Sequence, residues 1–171
     1  NGDPREAVLG YPVLGTDEDF SQLREKYEFA LVTVGQIKSA TPRKRLYAQL
    51  ISLGFQMPVV VSPRSYVSSH AKLGSGTIVM HGAIVNAWAD VGENCILNSR
   101  SLIEHDAGIG DHCHISTGSI LNGEVQIGHE SFVGSGAVVR EGVRIGARSL
   151  VAGGTRVMKD LPENSNYKNS S

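Results

Sequence analysis

The chain has 171 residues with a formal net charge of -1 and a pI near 6.7, so no basic surplus points to nucleic acid or to an anionic membrane surface. Its 2 cysteines are too few for a disulfide framework and suit a reducing cytoplasm, and no apolar run approaches the roughly 20 residues that span a bilayer. The 20 glycines and sparse aromatic residues lean instead toward a repetitive, tightly turning backbone.

In chain order, NGDPREAVLGYPVLG opens on turn-forming residues without a methionine, and a natural segment is expected to precede it. PVLG at 12–15 reads as a short strand. TDEDFSQLREKY reads as a helix with Thr16 as N-cap, Asp19 at the capping-box position, and Phe20, Leu23 and Tyr27 on one face. FALVTVG, Phe29 to Gly35, reads as a buried strand. Thr41-Pro42 opens a second helix through Leu53 that Gly54 closes, and PVVV makes a third strand that runs directly into a repeat beginning at Val61. This strand and helix alternation predicts an α/β N-terminal portion over 1–57, a partial Rossmann-like unit of parallel strands without a glycine-rich or Walker loop.

From Val61 an aliphatic residue stands at every sixth position, seventeen times in succession, ending at Val157. Four residues after most of them comes a small one, such as Ala83, Cys95, Ser101, Cys113 or Ala137. Neither a helix of 3.6 residues per turn nor simple alternation has this period; a parallel β-helix of hexapeptide repeats does. An aliphatic-glycine pair recurs every 18 residues from Leu73-Gly74 to Ile145-Gly146, so three hexads make one triangular coil and residues 18 apart stack on adjacent rungs. The repeat predicts a prism over 58–160, a tail over 161–171, glycines at corners with demanding backbone angles, and the first 57 residues as a cap on the open edge. Cys95 and Cys113 fall at the inward small position and read as buried, reduced packing residues.

The stretch NSRSLIEHDAGIGDHCH, 98–114, concentrates histidines and acids. In the hexad register His105 and His114 face outward or lie near corners. His105 stacks between Ala87 and Gly123, which leaves the imidazole space above and below, and its pKa near 6.5 suits a general base. Asp106 can raise that basicity if a turn brings it to the ring. His112 and His81 read as ordinary polar surface. His105 and His114 lie half a coil apart, on different sides of the prism, so their cooperation requires a site between subunits.

The run IEHDAGIGDHCHISTGSILNGEVQIGHESFVGSGAVV resembles the bacterial left-handed β-helix acyltransferases that acetylate sugars: sialic acid O-acetyltransferases and N-acetyltransferases of bacillosamine-type amino-sugar nucleotides. RSLIEHD and LNGEV are closest to the sialic acid branch. The resemblance implies left-handed winding, a homotrimer, and acetyl-CoA as co-substrate in the groove between prisms. It also implies a cytoplasmic role in surface-polysaccharide or glycan biosynthesis. Carried over by position, His105 matches the general base and Asp106 its basicity-raising neighbour. His114 matches the histidine near the thioester carbonyl, Gly123 the glycine whose backbone approaches the acetyl group, and Ser135 and Gly153 positions along the pantetheine arm. Thr117, Ser135 and Gly153 share one stacked column, a groove of small residues. Arg156 and Lys159 are candidate phosphate partners, and Arg100 is a candidate for a sialic acid carboxylate. The absent glycine-rich turn bears on nucleotide recognition. The end DLPENSNYKNSS, which lacks the family's glycine-proline-alanine segment, bears on the outer wall for the adenine. The leading expectation is direct acetyl transfer without a metal. Two further classes are a zinc lyase of the β-helical carbonic anhydrase kind, using His81, His105, His112 and His114, and a non-catalytic assembly module.

Overall fold

A computed structural model describes residues 7–168; the first six residues of the opening stretch and the last three of DLPENSNYKNSS lie outside the described residues. The hexad reading holds throughout the repeat. Two-residue strands stack in three parallel sheets, and each prism strand from Val60–Val61 to Leu150–Val151 pairs with the one 18 residues on, except where the coil ends. The first face runs from Val60–Val61 through Ile96–Leu97 and His114–Ile115 to Asn166–Tyr167 in seven strands. The second holds six, from Tyr66–Val67 through Leu102–Ile103 to Arg156–Val157, and the third five, from Lys72–Leu73 through Gly108–Ile109 to Arg144–Ile145. Pairing continues past residue 160: Leu161 is buried and bridges Ile145, and Asn166–Tyr167 pairs with Leu150–Val151.

The aliphatic series fills the interior. Val85, Leu97, Ile103, Ile115, Leu121 and Val139 are all 0% exposed, and burial of each side chain is worth roughly 1.5–3 kcal/mol. Ala83, Cys95, Cys113 and Ala137 complete the layers at the small position, and both cysteines are free and buried. At the open end the pattern fades, because Val61 has no rung beneath it and is 44% exposed.

The glycines spaced by 18 do a different job from the one the sequence suggests. Gly74, Gly92, Gly110, Gly128 and Gly146 do not have left-handed backbones; a Cβ at Gly74 would lie 2.5 Å from the Gly92 carbonyl carbon. They let adjacent rungs approach. The left-handed corner falls two residues later, and from Gly76 to Gly154 all fourteen residues three after the aliphatic position have positive φ. Six of the fourteen are glycine; the others include Trp88, Asn94, Asp106 and His112.

The N-terminal portion departs further. A 3-10 turn, Asp17–Asp19, opens under the expected Thr16 and Asp19 capping box and leads into α1, Phe20–Arg24; α2 spans Thr41–Ser52 with Pro42 in its first turn. The expected strands do not form a parallel sheet. PVLG contributes only Pro12, in a hairpin where Tyr11–Pro12 pairs antiparallel with Ala7–Val8 across Leu9 and Gly10, both at positive φ. FALVTVG makes a single bridge, Phe29 to Gln56, and Phe29 and Val34 are 57% and 42% exposed. On one edge of the segment Arg43 stands in for a strand: its guanidinium donates to the carbonyls of Val32 and Val34, which a partner strand would otherwise occupy. The third strand, Val60–Val61, belongs to the prism, where it pairs with Ile78–Val79.

Nor do the described residues of this portion cap the open edge, where Val60, Val61 and Tyr66 stay exposed. They lie along the corner between the third and first faces, over several rungs. Arg43, fully buried, donates from Nε to Asn94 O; Tyr47 OH donates to Glu93 Oε2 at 3.1 Å; Lys44 pairs with Glu130 at 2.7 Å; and Gln36 Nε2 donates to His112 O. Among the described residues no helix is long and apolar enough to cross a membrane.

Candidate active site

The site residues are placed by the register and sort into three groups. His105, Asp106 and Gly123 meet at the corner between the second and third faces. Asp106 takes the left-handed position of its hexad at φ 60, and that turn swings its carboxylate beside the preceding residue, so that His105 Nδ1 lies 2.9 Å from Asp106 Oδ2. Nδ1–H donates to the carboxylate, which leaves the Nε2 lone pair free. The hydrogen bond to Asp106 raises the pKa of the exposed imidazole above its ordinary value, and the charges of Asp106, Glu104 and Glu124 act in the same direction against a small opposing desolvation.

Gly123 is buried under this ring. A Cβ there would lie 2.7 Å from His105 Cε1, so glycine is the residue that lets the imidazole lie flat over the next rung. The ring opens onto a cleft of about 350 Å³ whose wall is Glu104, Asn122, Gly123, Glu124 and Glu141. Glu104 Oε2 accepts from Asn86 Nδ2, and Asn122 Nδ2 donates to Val139 O, which fixes both side chains. The wall contains three carboxylates and no cationic residue. Sequence reading singled out none of the three; their signal was positional, since Glu104, Glu124 and Glu141 flank His105 and Gly123 along the same corner. The more apolar hollow lies elsewhere, in the N-terminal portion between Phe20, Leu23, Phe29, Leu46 and Phe55, and presents no acid and base pair.

Ser135 and Gly153 form the second group, with Thr117, at the corner between the first and second faces. The rungs connect through Gly136 N to Thr117 O and Gly154 N to Ser135 O, and all three residues are exposed. The Ser135 hydroxyl lies 2.9 Å from that of Ser116. Arg100 occupies the same corner rather than the His105 corner of its own chain, against Gly82.

His114 stands apart. It points outward from the first face, as the register requires, yet is only 8% exposed because the N-terminal portion covers it. Its Nδ1 donates to Gln36 O at 2.6 Å, its Nε2 lies 3.1 Å from Asn98 Nδ2, and Phe132 meets the ring edge to face. Burial lowers its pKa. His112, expected as ordinary surface, is covered in the same way: it packs against Tyr47, bonds Asn94, and has a pKa lowered chiefly by desolvation. His81 bonds Ser62. The four histidines weighed as shared metal ligands are thus dispersed, and among the described residues no group of three or more His, Cys, Asp or Glu side chains converges.

Residues 124–159 match the model of the hexapeptide repeat of succinyl-transferase. Among solved structures, a variant of perosamine N-acetyltransferase from Caulobacter crescentus, in complex with CoA and GDP-perosamine, superposes with a TM-score of 0.89 at 35% identity over 94% of this chain and 75% of that one. The acetyltransferase domain of PglB from Neisseria gonorrhoeae, in complex with acetyl coenzyme A, gives 0.88 at 28% identity over 96% and 78%. WeeI from Acinetobacter baumannii shares the fold at 23% identity over 92% and 75%, with a TM-score of 0.71. Comparison with curated proteins gives no match. A prism of hexads, an imidazole and carboxylate pair on its corner, and 35% identity across most of a structural relative lead to one conclusion: the chain belongs to the bacterial hexapeptide-repeat sugar acetyltransferases.

Proposed function

We propose that the protein transfers an acetyl group from acetyl-CoA to the amine of a nucleotide-linked amino sugar, with His105 as general base. The observation that carries this reading is the cleft at His105, where Glu104, Glu124 and Glu141 surround a base already paired with Asp106 and no cation offsets them. Such a wall attracts an ammonium and repels the carboxylate of a sialic acid, so the amine is favoured over the O-acetylation suggested by the local likeness to the sialic acid branch. The relatives point the same way, since one is a perosamine N-acetyltransferase holding GDP-perosamine.

Acetyl-CoA supplies the activated acyl group as a thioester. The ammonium drawn into the cleft first releases one proton to solvent; neutral His105 then takes a proton of the resulting amine on Nε2 while the nitrogen bonds to the acetyl carbon and the carbon-sulfur bond breaks, and that proton passes to the departing thiolate, giving amide and free thiol. Asp106 holds the imidazole in the tautomer that presents Nε2 and stabilises the imidazolium. Gly123, with no Cβ, lets the imidazole lie flat over the next rung beside the cleft. The exposed column of Thr117, Ser135 and Gly153 fits an extended thiol arm. It lies on a different corner from His105, so this reading takes the two from neighbouring subunits of a trimer of left-handed prisms. His114 contributes by holding Asn98 and Gln36 in place on that neighbouring wall, both of its nitrogens being engaged.

The test is an acetylation panel of GDP- and UDP-linked amino sugars and free sialic acids, read by mass spectrometry. Amide formation on an amino-sugar nucleotide, with no product from sialic acid, is expected. Acetylation of a sialic acid hydroxyl alone would overturn the amine reading.

A further inference from the structure

The corner that carries His105 also carries the chain's only tryptophan, one rung earlier. Trp88 occupies the left-handed position of its hexad at φ 63, where six of the fourteen hexads have glycine and the other seven have polar or charged residues. It is the one large apolar side chain at that position, and it is 65% exposed. Its ring lies over that of His70, the corresponding residue of the preceding rung, with centroids 5.4 Å apart and planes 23° apart. Because the two rings are stacked along the column, the indole presents its other face toward the rung of His105 and Asp106. That rung is attached directly, Asp106 N donating to Ala87 O at 3.2 Å, and the residue in register with His105 on the rung of Trp88 is the small Ala87.

We propose that Trp88, backed by His70, is a positioning residue for the acceptor: a flat platform on which the apolar face of the amino-sugar ring stacks, with its amine directed at His105 Nε2. The inference rests on the acetyl transfer reading above. Three features support it together: an indole left 65% exposed, a ring held flat by a second ring, and placement on the rung next to that of the base, about 4.8 Å along the prism. The carboxylates of the cleft select the charge of the acceptor; the indole selects a ring beside it.

The single tryptophan makes the test direct. With the amino-sugar nucleotide that the wild type acetylates in the panel, titration should change the indole fluorescence, whereas acetyl-CoA alone should leave it nearly unchanged. Trp88→Gly, which suits the left-handed backbone, should fold at least as stably as wild type. It should raise KM for the acceptor about tenfold, equivalent to about 1.4 kcal/mol, with KM for acetyl-CoA unchanged. Trp88→Phe should recover most of that loss. An active wild type whose acceptor KM is the same in Trp88→Gly would overturn the platform and leave the acetyl transfer reading standing. A Trp88→Gly variant that changes oligomeric state would likewise overturn it, by assigning the indole to a subunit contact. A wild type that acetylates no amino sugar would overturn both.

Discussion

The corner bearing His105 and the corner bearing His112 are built from the same hexad, yet their histidines have opposite chemistry. At the first, none of the described residues covers the rungs, the imidazole is 59% exposed, and a carboxylate at 2.9 Å raises its pKa. At the second, α2 and the segment before it lie over the rungs, and His112 and, on the adjoining face, His114 are desolvated, lowered and tied to backbone and amide groups. The repeat supplies addresses and the cover decides chemistry: the bare imidazole is the one proposed as a base, and the covered ones tie the N-terminal portion to the prism.

The largest effect expected from this contrast is on catalysis. His105→Ala should lower kcat about 10²- to 10⁴-fold in the acetylation assay, while its melting temperature stays within about a degree of wild type because the side chain is exposed. At the covered corner the balance reverses. Arg43→Met leaves the carbonyls of Asn94, Val32 and Val34 without their donor and should cost about 2–4 kcal/mol in chemical denaturation. A smaller and pH-dependent effect comes from His112 and His114. Both have lowered pKa values in the fold, so their neutral forms favour the folded state above the unfolded value near 6.5, and that stability is lost as pH falls through their folded values. Thermal stability should therefore decline below about pH 6.5, and His114→Gln should flatten the decline.

The same contrast separates what sequence could reveal from what it could not. Inside the prism each address follows from a period, so Ile103, Cys95 and the outward placement of His105 are all recovered from spacing alone. Asp106 reaches the ring through a turn that the period locates but whose φ it does not state. The N-terminal portion has no repeat to average over. There FALVTVG looks like a strand because its apolar content is strand-like, but Arg43, 11 and 9 residues further on, takes the carbonyls of Val32 and Val34, and no local pattern announces that. The burial of His114 and His112 was hidden for the same reason, since the cover comes from residues 36–47. The carboxylate wall is legible in the charge of the corner columns, where Glu104, Glu124 and Glu141 flank His105 and Gly123.

The most direct test of His105 as a base tuned by Asp106 is the pH profile of kcat/KM for wild type and Asp106→Asn with the same amino-sugar nucleotide, so that the acceptor's own ionisation is common to both. The wild-type profile should rise with pH through an inflection above 6.5, and removal of the carboxylate's charge should move that inflection downward and reduce the plateau. Superimposable profiles in the two enzymes would contradict the account.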